Sequence, residues 1–488
     1  MTASADLSQR GYQLLLGLAA VGLGLLAGID PRLGIAAAIG LAFVVLVMGD
    51  LTFGLCVFAV VAFLDLLPAL GGSLLSFSKI VGLLLAISWL AKVTSARDTR
   101  NDFMATHPMF SYVLGIFLAW VALSVLWAED PAVARQPIMR YALNLVLFLI
   151  VFTAVRTPKQ FVWTVGAYIV GATFAAAYGL ARPPADTAYQ DISRVAGTLG
   201  DPNELASVLV PAIVLAAALA IILKRAPLLR LMLAGAAVIC AAGVFLSLSR
   251  GGLVALGVAL MVSVLVAGRW RAQALVLALC VAMGGFFYFS FVASTDAVNR
   301  VTEFGGGTGR SDLWNIGVRM IEDKPLTGVG VGNFETSSIH YLLEPGVVRR
   351  DEFIVDHPKV AHNTYLHTFA ELGAIGGVLF ISILAFVLLC VMRAARTFAR
   401  MDERGLELLA RALFVALVGI LTADFFISEM FSKQLWLLLG LGPALLGVAT
   451  SMEGEAAGKP VAEDPEADAG DPRWRPETGP TKPLPGAV

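Results

Sequence analysis

Two stretches decide how this chain is read: GRSDLWNIGVRMIEDKPLTGVGVGNF, residues 309–334, and HPKVAHNTYLHTFAELG, residues 357–373. Nearly everything around them is apolar helix. Inside this polar excursion sit Arg310, Arg319, the carboxylate Glu371 and four of the five histidines, His340, His357, His362 and His367. Leu313, Ile316, Gly317, Met320 and Ile321 recur at helical spacing, so Ser311–Glu322 reads as an amphipathic helix, stopped by Asp323, Lys324 and Pro325. A chain otherwise suited to lipid has gathered its polar chemistry in one place.

The 488 residues are 58% hydrophobic and 15% charged, with a mean hydropathy of +0.80. Soluble domains carry about 25% charged residues, so this chain belongs in a bilayer. Apolar runs long enough to span recur through residues 1–449. They predict an all-α polytopic integral membrane protein with about 12 to 14 transmembrane helices. The first run follows Arg10 with no small-residue cleavage site and reads as an uncleaved span. Cys56, Cys240, Cys280 and Cys390 each lie in an apolar run and read as small buried hydrophobes. The net charge of −1 says nothing about nucleic acid, but no basic run of the kind that tracks a phosphate backbone is present, so no nucleic-acid partner is expected. Residues 450–488, rich in Pro, Gly, Ala, Glu and Asp without an apolar period, are expected to form a disordered cytoplasmic tail.

Short segments dense in Lys and Arg (Lys92–Arg100, Arg156–Lys159, Lys224–Arg230, Arg269–Arg271, Arg393–Arg404) fit cytoplasmic loops, with the amino terminus on the same side. Three polar segments then fall outside. They are Ala181–Asn203, with Arg194 and the turn GDPN; SLSRGG, residues 247–252; and the long loop of about residues 294–361, which bears the amphipathic helix.

Arg250 stands at a membrane boundary among Ser247, Ser249, Gly251 and Gly252, where small residues let a ligand approach. The bland alternative is an arginine reaching for headgroups. Arg310 follows three glycines, Gly305–Gly307, and opens the surface helix, where unpaired N–H groups suit an anion. The GVGVGNF segment follows a helix, not a strand, so it reads as a tight packing turn and not as a dinucleotide fingerprint. His362 begins the next apolar helix. Asn363, His367 and Glu371 follow at four-residue steps on one face, which takes Glu371 about two turns into the membrane. Two histidines and a carboxylate raise a metal site, but no HExxH or equivalent spacing is present, so no metal and no cofactor are expected.

SLSRGG, GRSDLW with DKPLTGVGVGNF, and AHNTYLHTFAELG together resemble the shared core of the O-antigen ligases and O-antigen polymerases of bacterial envelopes. GDPNELAS looks like the segment that opens the preceding helix in that family. The resemblance covers about residues 195–375. It implies a GT-C-like helical fold in the bacterial inner membrane, with an extracytoplasmic site and no metal. It also implies that Arg250 and Arg310 hold the pyrophosphate of a polyprenyl-linked glycan donor, and that His362 is the third functional residue. Arg194, Asn203, Ser249, Asn363, His367 and Glu371 are the accompanying candidates for substrate binding. The acceptor is then a glycan or a lipid-A-core-like sugar. The chemistry fits: a glycan on a diphosphate carries a good leaving group, and what needs stabilising is the charge that builds there, a task for bidentate arginines. An acceptor hydroxyl attacking from the opposite face gives inversion, with His362 accepting its proton or orienting it. The rival reading is a transporter or flippase of lipid-linked glycans. Transporter sites lie near the midplane in related halves, whereas here the polar residues crowd one boundary of the second half.

Overall fold

The computed structural model describes residues 17–64, 77–95, 103–182, 194–302, 310–342 and 360–458, less residues 18, 19, 23 and 26. His357, Gly305–Gly307 and the tail beyond 458 therefore lie outside the described residues. The described chain is helical, without strands. In order the helices are α1 Pro31–Gly49, α2 Leu51–Val61, α3 Phe77–Ser95, α4 Pro108–Leu123, α5 Pro131–Ala154, α6 Pro158–Ala181, α7 Pro202–Ile222 and α8 Pro227–Leu246. They continue as α9 Arg250–Val266, α10 Arg271–Phe287, α11 Thr295–Thr302, α12 Arg310–Asp323, α13 Phe334–Leu342, α14 Thr364–Arg400, α15 Arg404–Ala423 and α16 Lys433–Ala456.

Among the described residues nine helices are long and apolar enough to cross a membrane: α4 to α8, α10 and α14 to α16, some with their flanking turns. Shorter apolar helices are Ala20–Ile29, Gly40–Gly49, α2 and α9. The last helix runs past the expected boundary at Thr450 to Ala456, because Ser451–Ala456 contains no proline and has several good helix formers.

Local sequence sets where the spans begin. Asp130-Pro131, Thr157-Pro158 and Asp201-Pro202 each put an acceptor side chain at the N-cap and proline at the first helical position, the pairing that helix starts favour. Packing then sorts the helices. α7, α15 and α16 are buried on most sides, Leu209, Leu417 and Trp436 being wholly inaccessible. Val238, Met283, Phe286 and Phe291 point outward, as side chains facing hydrocarbon do.

Polar groups collect at the helix ends, Arg250 opening α9 and Arg269 following its last turn. At one, Arg269 bonds Asp402 at 3.1 Å and Glu407 at 2.8 Å, and Arg411 also bonds Glu407 at 2.8 Å. This joins the two basic segments around Arg269 and Arg404. The opposite end carries the residues singled out from the sequence.

The long helix α14 differs from expectation. It is broken at Gly373, whose φ of 65° and ψ of −171° are not helical, so Glu371 does not ride two turns down a continuous span. It sits in a short segment ahead of the break. The turn before α13 supplies the backbone partners the break removes: Val329 N–H donates to Ala370 O, Gly330 N–H to Glu371 O, and Ala374 N–H to Pro325 O, all at 2.8–2.9 Å. A β-carbon at Gly373 would run into the backbone of Leu326, so glycine is required both for the φ and for the contact.

Candidate functional site: an arginine cluster and its neighbouring carboxylates

Arg194, Ser249 and Asn203 form one knot. Arg194 donates from Nε to Ser247 O at 2.8 Å and from Nη2 to Asn203 Oδ1 at 3.1 Å. Ser249 Oγ–H donates to the same Asn203 oxygen at 2.8 Å while accepting Gly252 N–H at 3.2 Å as the N-cap of α9. This knot ties the α6–α7 connection to the turn between α8 and α9, so Arg250 is fixed at the first position of α9.

Around Arg250 gather Arg194, Arg300 and Arg310. Burial lowers the pKa of Arg194 to about 10, with repulsion from Arg300 and Arg310 adding to it and Asp201 opposing. Burial also lowers Arg310, Asp201 again opposing and Arg250 and Arg300 adding. Arg300 is lowered by burial and then by Arg250. Arg250 Nε donates to the Arg300 carbonyl at 2.5 Å, and Arg300 Nε is buried without a hydrogen-bond partner among the described residues. Four guanidiniums thus crowd one place, with Asp201 the carboxylate felt by two of them. Cations that repel one another and are half stripped of water are arranged for an anion. Arg300 escaped the sequence reading because it lies beyond the last apolar run in the short helix α11, with no motif to mark it.

The amphipathic helix was foreseen closely: Arg310–Asp323 is helical, with Leu313, Ile316, Gly317 and Met320 buried. Its apolar face rests on the first turns of α14. Ile316, Met320, Val329, Phe334, Tyr341, Ala361 and Ala370 form a separate small core, in which each large side chain contributes roughly 1.5–3 kcal/mol of burial. Trp314 Nε1–H donates to Ala361 O at 3.1 Å, which joins the helix opened by Arg310 to the residue preceding His362. His362 itself is half-buried and has a positive φ of 50°, unusual for a residue with a β-carbon.

The other candidates are engaged within the protein. Asn363 caps α14, its Oδ1 accepting Tyr365 N–H and Leu366 N–H at 3.0 Å. Glu371 Oε1 accepts Phe334 N–H at 3.2 Å and His367 Nε2–H at 3.0 Å, leaving His367 Nδ1 to accept from Ser428 Oγ at 3.1 Å. His367 and Glu371 are nearly inaccessible, and this chain of bonds clamps α13 and the residue 424–432 loop to α14. His340 stands apart, pairing with Glu129 at 2.6 Å in a polar crevice with Arg319, Asp323 and Lys324. Among the described residues no three of His, Cys, Asp and Glu lie close enough to share a metal ion.

The loop between α15 and α16 was missed. Thr364 N–H donates to Asp424 O and Thr364 Oγ–H to Ile427 O, both at 2.8 Å, and Glu429 N–H donates to Thr364 Oγ at 2.9 Å. Phe426 lies over Gly251, beside Arg250, closer than a β-carbon there would allow. One loop therefore touches the arginine turn, the histidine turn and His367. The signal in sequence was slight: Asp424 and Glu429, two carboxylates between long apolar runs.

Burial raises the Asp424 carboxyl from 3.8 to about 8. Glu429 is raised as well, by burial and then by Asp424 and Asp201, with Arg140 opposing. Between the unfolded and the folded pKa, the folded chain keeps a proton that the unfolded chain has released. Stability is then fully present below the unfolded value and falls as pH rises to about 8. Asp424→Asn, neutral throughout, is expected to flatten the dependence of Tm on pH and to exceed the wild type at the alkaline end. A wild-type Tm that does not fall from acid to alkaline pH would contradict this.

The chain is thus a polytopic helical membrane protein whose polar end is built around a cationic cluster. Residues 235–381 match the family model described as O-antigen ligase. The matched segment holds Arg250, Arg300, Arg310 and His362, while Arg194, Asp201 and the residue 424–432 loop lie outside it. No curated protein matches the chain.

Proposed function

We propose that this protein is an inverting glycosyltransferase. It moves a glycan from a polyprenyl diphosphate carrier to an acceptor hydroxyl, as an O-antigen ligase or a surface-polysaccharide polymerase, without a metal ion. The observation that carries the reading is the convergence of Arg194, Arg250, Arg300 and Arg310 at one end of the bundle, with Asp201 opposing two of them. Such a cluster suits a diphosphate that gains charge as its glycosidic bond breaks. Arg250 and Arg310 bind the diphosphate directly; Arg194, Asn203 and Ser249 hold Arg250 in place. His362 faces the acceptor. The core adopts a GT-C-like arrangement with the site outside the inner membrane, beside the lipid that delivers the donor.

Carrier-linked glycan, extracted from a strain lacking the gene, tests this directly when mixed in detergent with purified protein and acceptor lipid. Transfer with no membrane to cross is expected; none would leave the transporter reading standing. The stranded species tells the two enzymes apart, long polymers on the carrier meaning ligase and single repeats meaning polymerase. Orientation has its own test. With the four native cysteines replaced, Gly346→Cys is expected to react with an impermeant thiol reagent in intact spheroplasts. Labelling only after lysis would reverse the topology.

A further inference from the structure

Asp201 stands at the arginine cluster, and the loop whose Phe426 lies against Gly251 carries two more carboxylates, Asp424 and Glu429; the proposed roles above use none of the three. Asp201 caps α7, its Oδ1 accepting Asn203 N–H and Glu204 N–H. Asp424 is 1% exposed, and its Oδ2 is buried without a partner among the described residues. Glu429 is within electrostatic reach of both, half-buried, on a loop whose backbone is pinned through Thr364 to the histidine turn. Resting on the reading of the site as a glycosyltransferase, we propose that Glu429 is the group that takes the proton from the acceptor hydroxyl, with Asp424 behind it.

The step balances without any further reactant. The acceptor oxygen uses a lone pair to form the new bond to the anomeric carbon. The bond from that carbon to the carrier's diphosphate breaks, its electron pair leaving on the phosphate oxygen among the arginines. The acceptor proton passes to the Glu429 carboxylate. Placement favours Glu429 for this task. Phe426 of the same loop lies against Gly251, beside Arg250, and Asp201 is within electrostatic reach of Glu429 and of Arg194 and Arg310 alike, so the loop brings Glu429 to the border of the leaving-group site. A carboxylate paired with those guanidiniums would be a poor base. The groups facing Glu429 are Asp424 on its own loop, Asp201 from α7 and Arg140 from α5, with His367 of α14 one bond away through Ser428. Burial, and then Asp424 and Asp201 with Arg140 opposing, raise its proton affinity toward neutrality, where a general base is most effective. Lys433, the nearest cation along the chain, is turned to Ser78 Oγ at 3.1 Å. His362 is then left to orient the acceptor.

The test compares wild type, Glu429→Gln and Glu429→Asp as purified full-length proteins. The donor is the carrier-linked glycan extracted from the deletion strain, and the acceptor is that strain's own membrane lipid. Glu429→Gln is expected to lower kcat by about 100-fold or more, with little change in donor KM, and to abolish the rise of kcat with pH. Glu429→Asp is expected to retain part of the activity, with the acid limb displaced. A glutamine variant with wild-type kcat, or one whose loss lies wholly in donor KM, would overturn the proposal. Should the glutamine variant fail to insert, an unmoved acid limb in Glu429→Asp overturns it equally. Absence of transfer by the wild type brings down the glycosyltransferase reading first, and this proposal with it. A dead Glu429→Gln beside an active wild type supports the proposal, and a fully active one refutes it without touching that reading.

Discussion

Arg250→Lys and Arg310→Lys are each expected to lower glycan transfer by roughly 100- to 1000-fold while the protein still inserts and purifies normally. The charge survives this change; what is lost is the planar fork that meets two phosphate oxygens at once. Arg250 is the more demanding position. It is held at the start of α9 by the Asn203–Ser249–Arg194 knot, and its Nε already bonds the Arg300 carbonyl, so a lysine there cannot reproduce both the anchor and the reach. At Arg310 the helix start keeps its N–H groups, and the loss comes from the guanidinium alone. Arg319→Lys is the control, since Arg319 is exposed and pairs with Glu322 one turn along. Wild-type transfer by either test variant removes that residue from the diphosphate site. Equal losses in all three would mean that a general effect of replacing arginine with lysine, not the fork at the diphosphate site, is being measured.

His362→Gln is expected to insert normally and to transfer little glycan, with a loss on the order of 100-fold. Glutamine keeps size and hydrogen-bonding capacity but not the ring, and the backbone at this position is held at a φ of 50°. A role in packing alone would leave the variant active. Chelation makes the second arm of the same experiment. EDTA is expected to leave wild-type transfer unchanged; inhibition reversed by a divalent ion would replace this mechanism with a metal-dependent one.

The helical membrane fold and the polar end were legible because both are written locally. Apolar runs of spanning length mark the helices, and Asp-Pro and Thr-Pro pairs mark their starts. The period of Leu313, Ile316 and Met320 marks the surface helix to within a residue of its ends. Arg250 and Arg310 stood out because charge at an apolar boundary is conspicuous. Three things were not legible. The break at Gly373 depends on the Pro325–Gly330 turn, more than forty residues away in sequence, donating and accepting in place of helix bonds. Arg300 is an ordinary arginine until the fold brings it to Arg250. Asp424 and Glu429 look like the polar connection of two spans until Thr364 docks on them. In each case the deciding contact is long-range, and no local pattern records it.

Four guanidiniums gathered in one place, with Asp201 beside them, have a consequence for turnover. A cluster that attracts the donor's diphosphate holds the spent carrier at least as firmly, because the departing lipid carries more negative charge than the glycan-bearing form that arrived. Chemistry is then followed by a slow exit. The spent carrier competes with fresh donor, the burst of the first cycle outruns the steady state, and added salt speeds release while weakening capture. A phosphatase working on the same membrane face, by trimming the discarded diphosphate to a monophosphate, would set the pace of this enzyme without ever touching it.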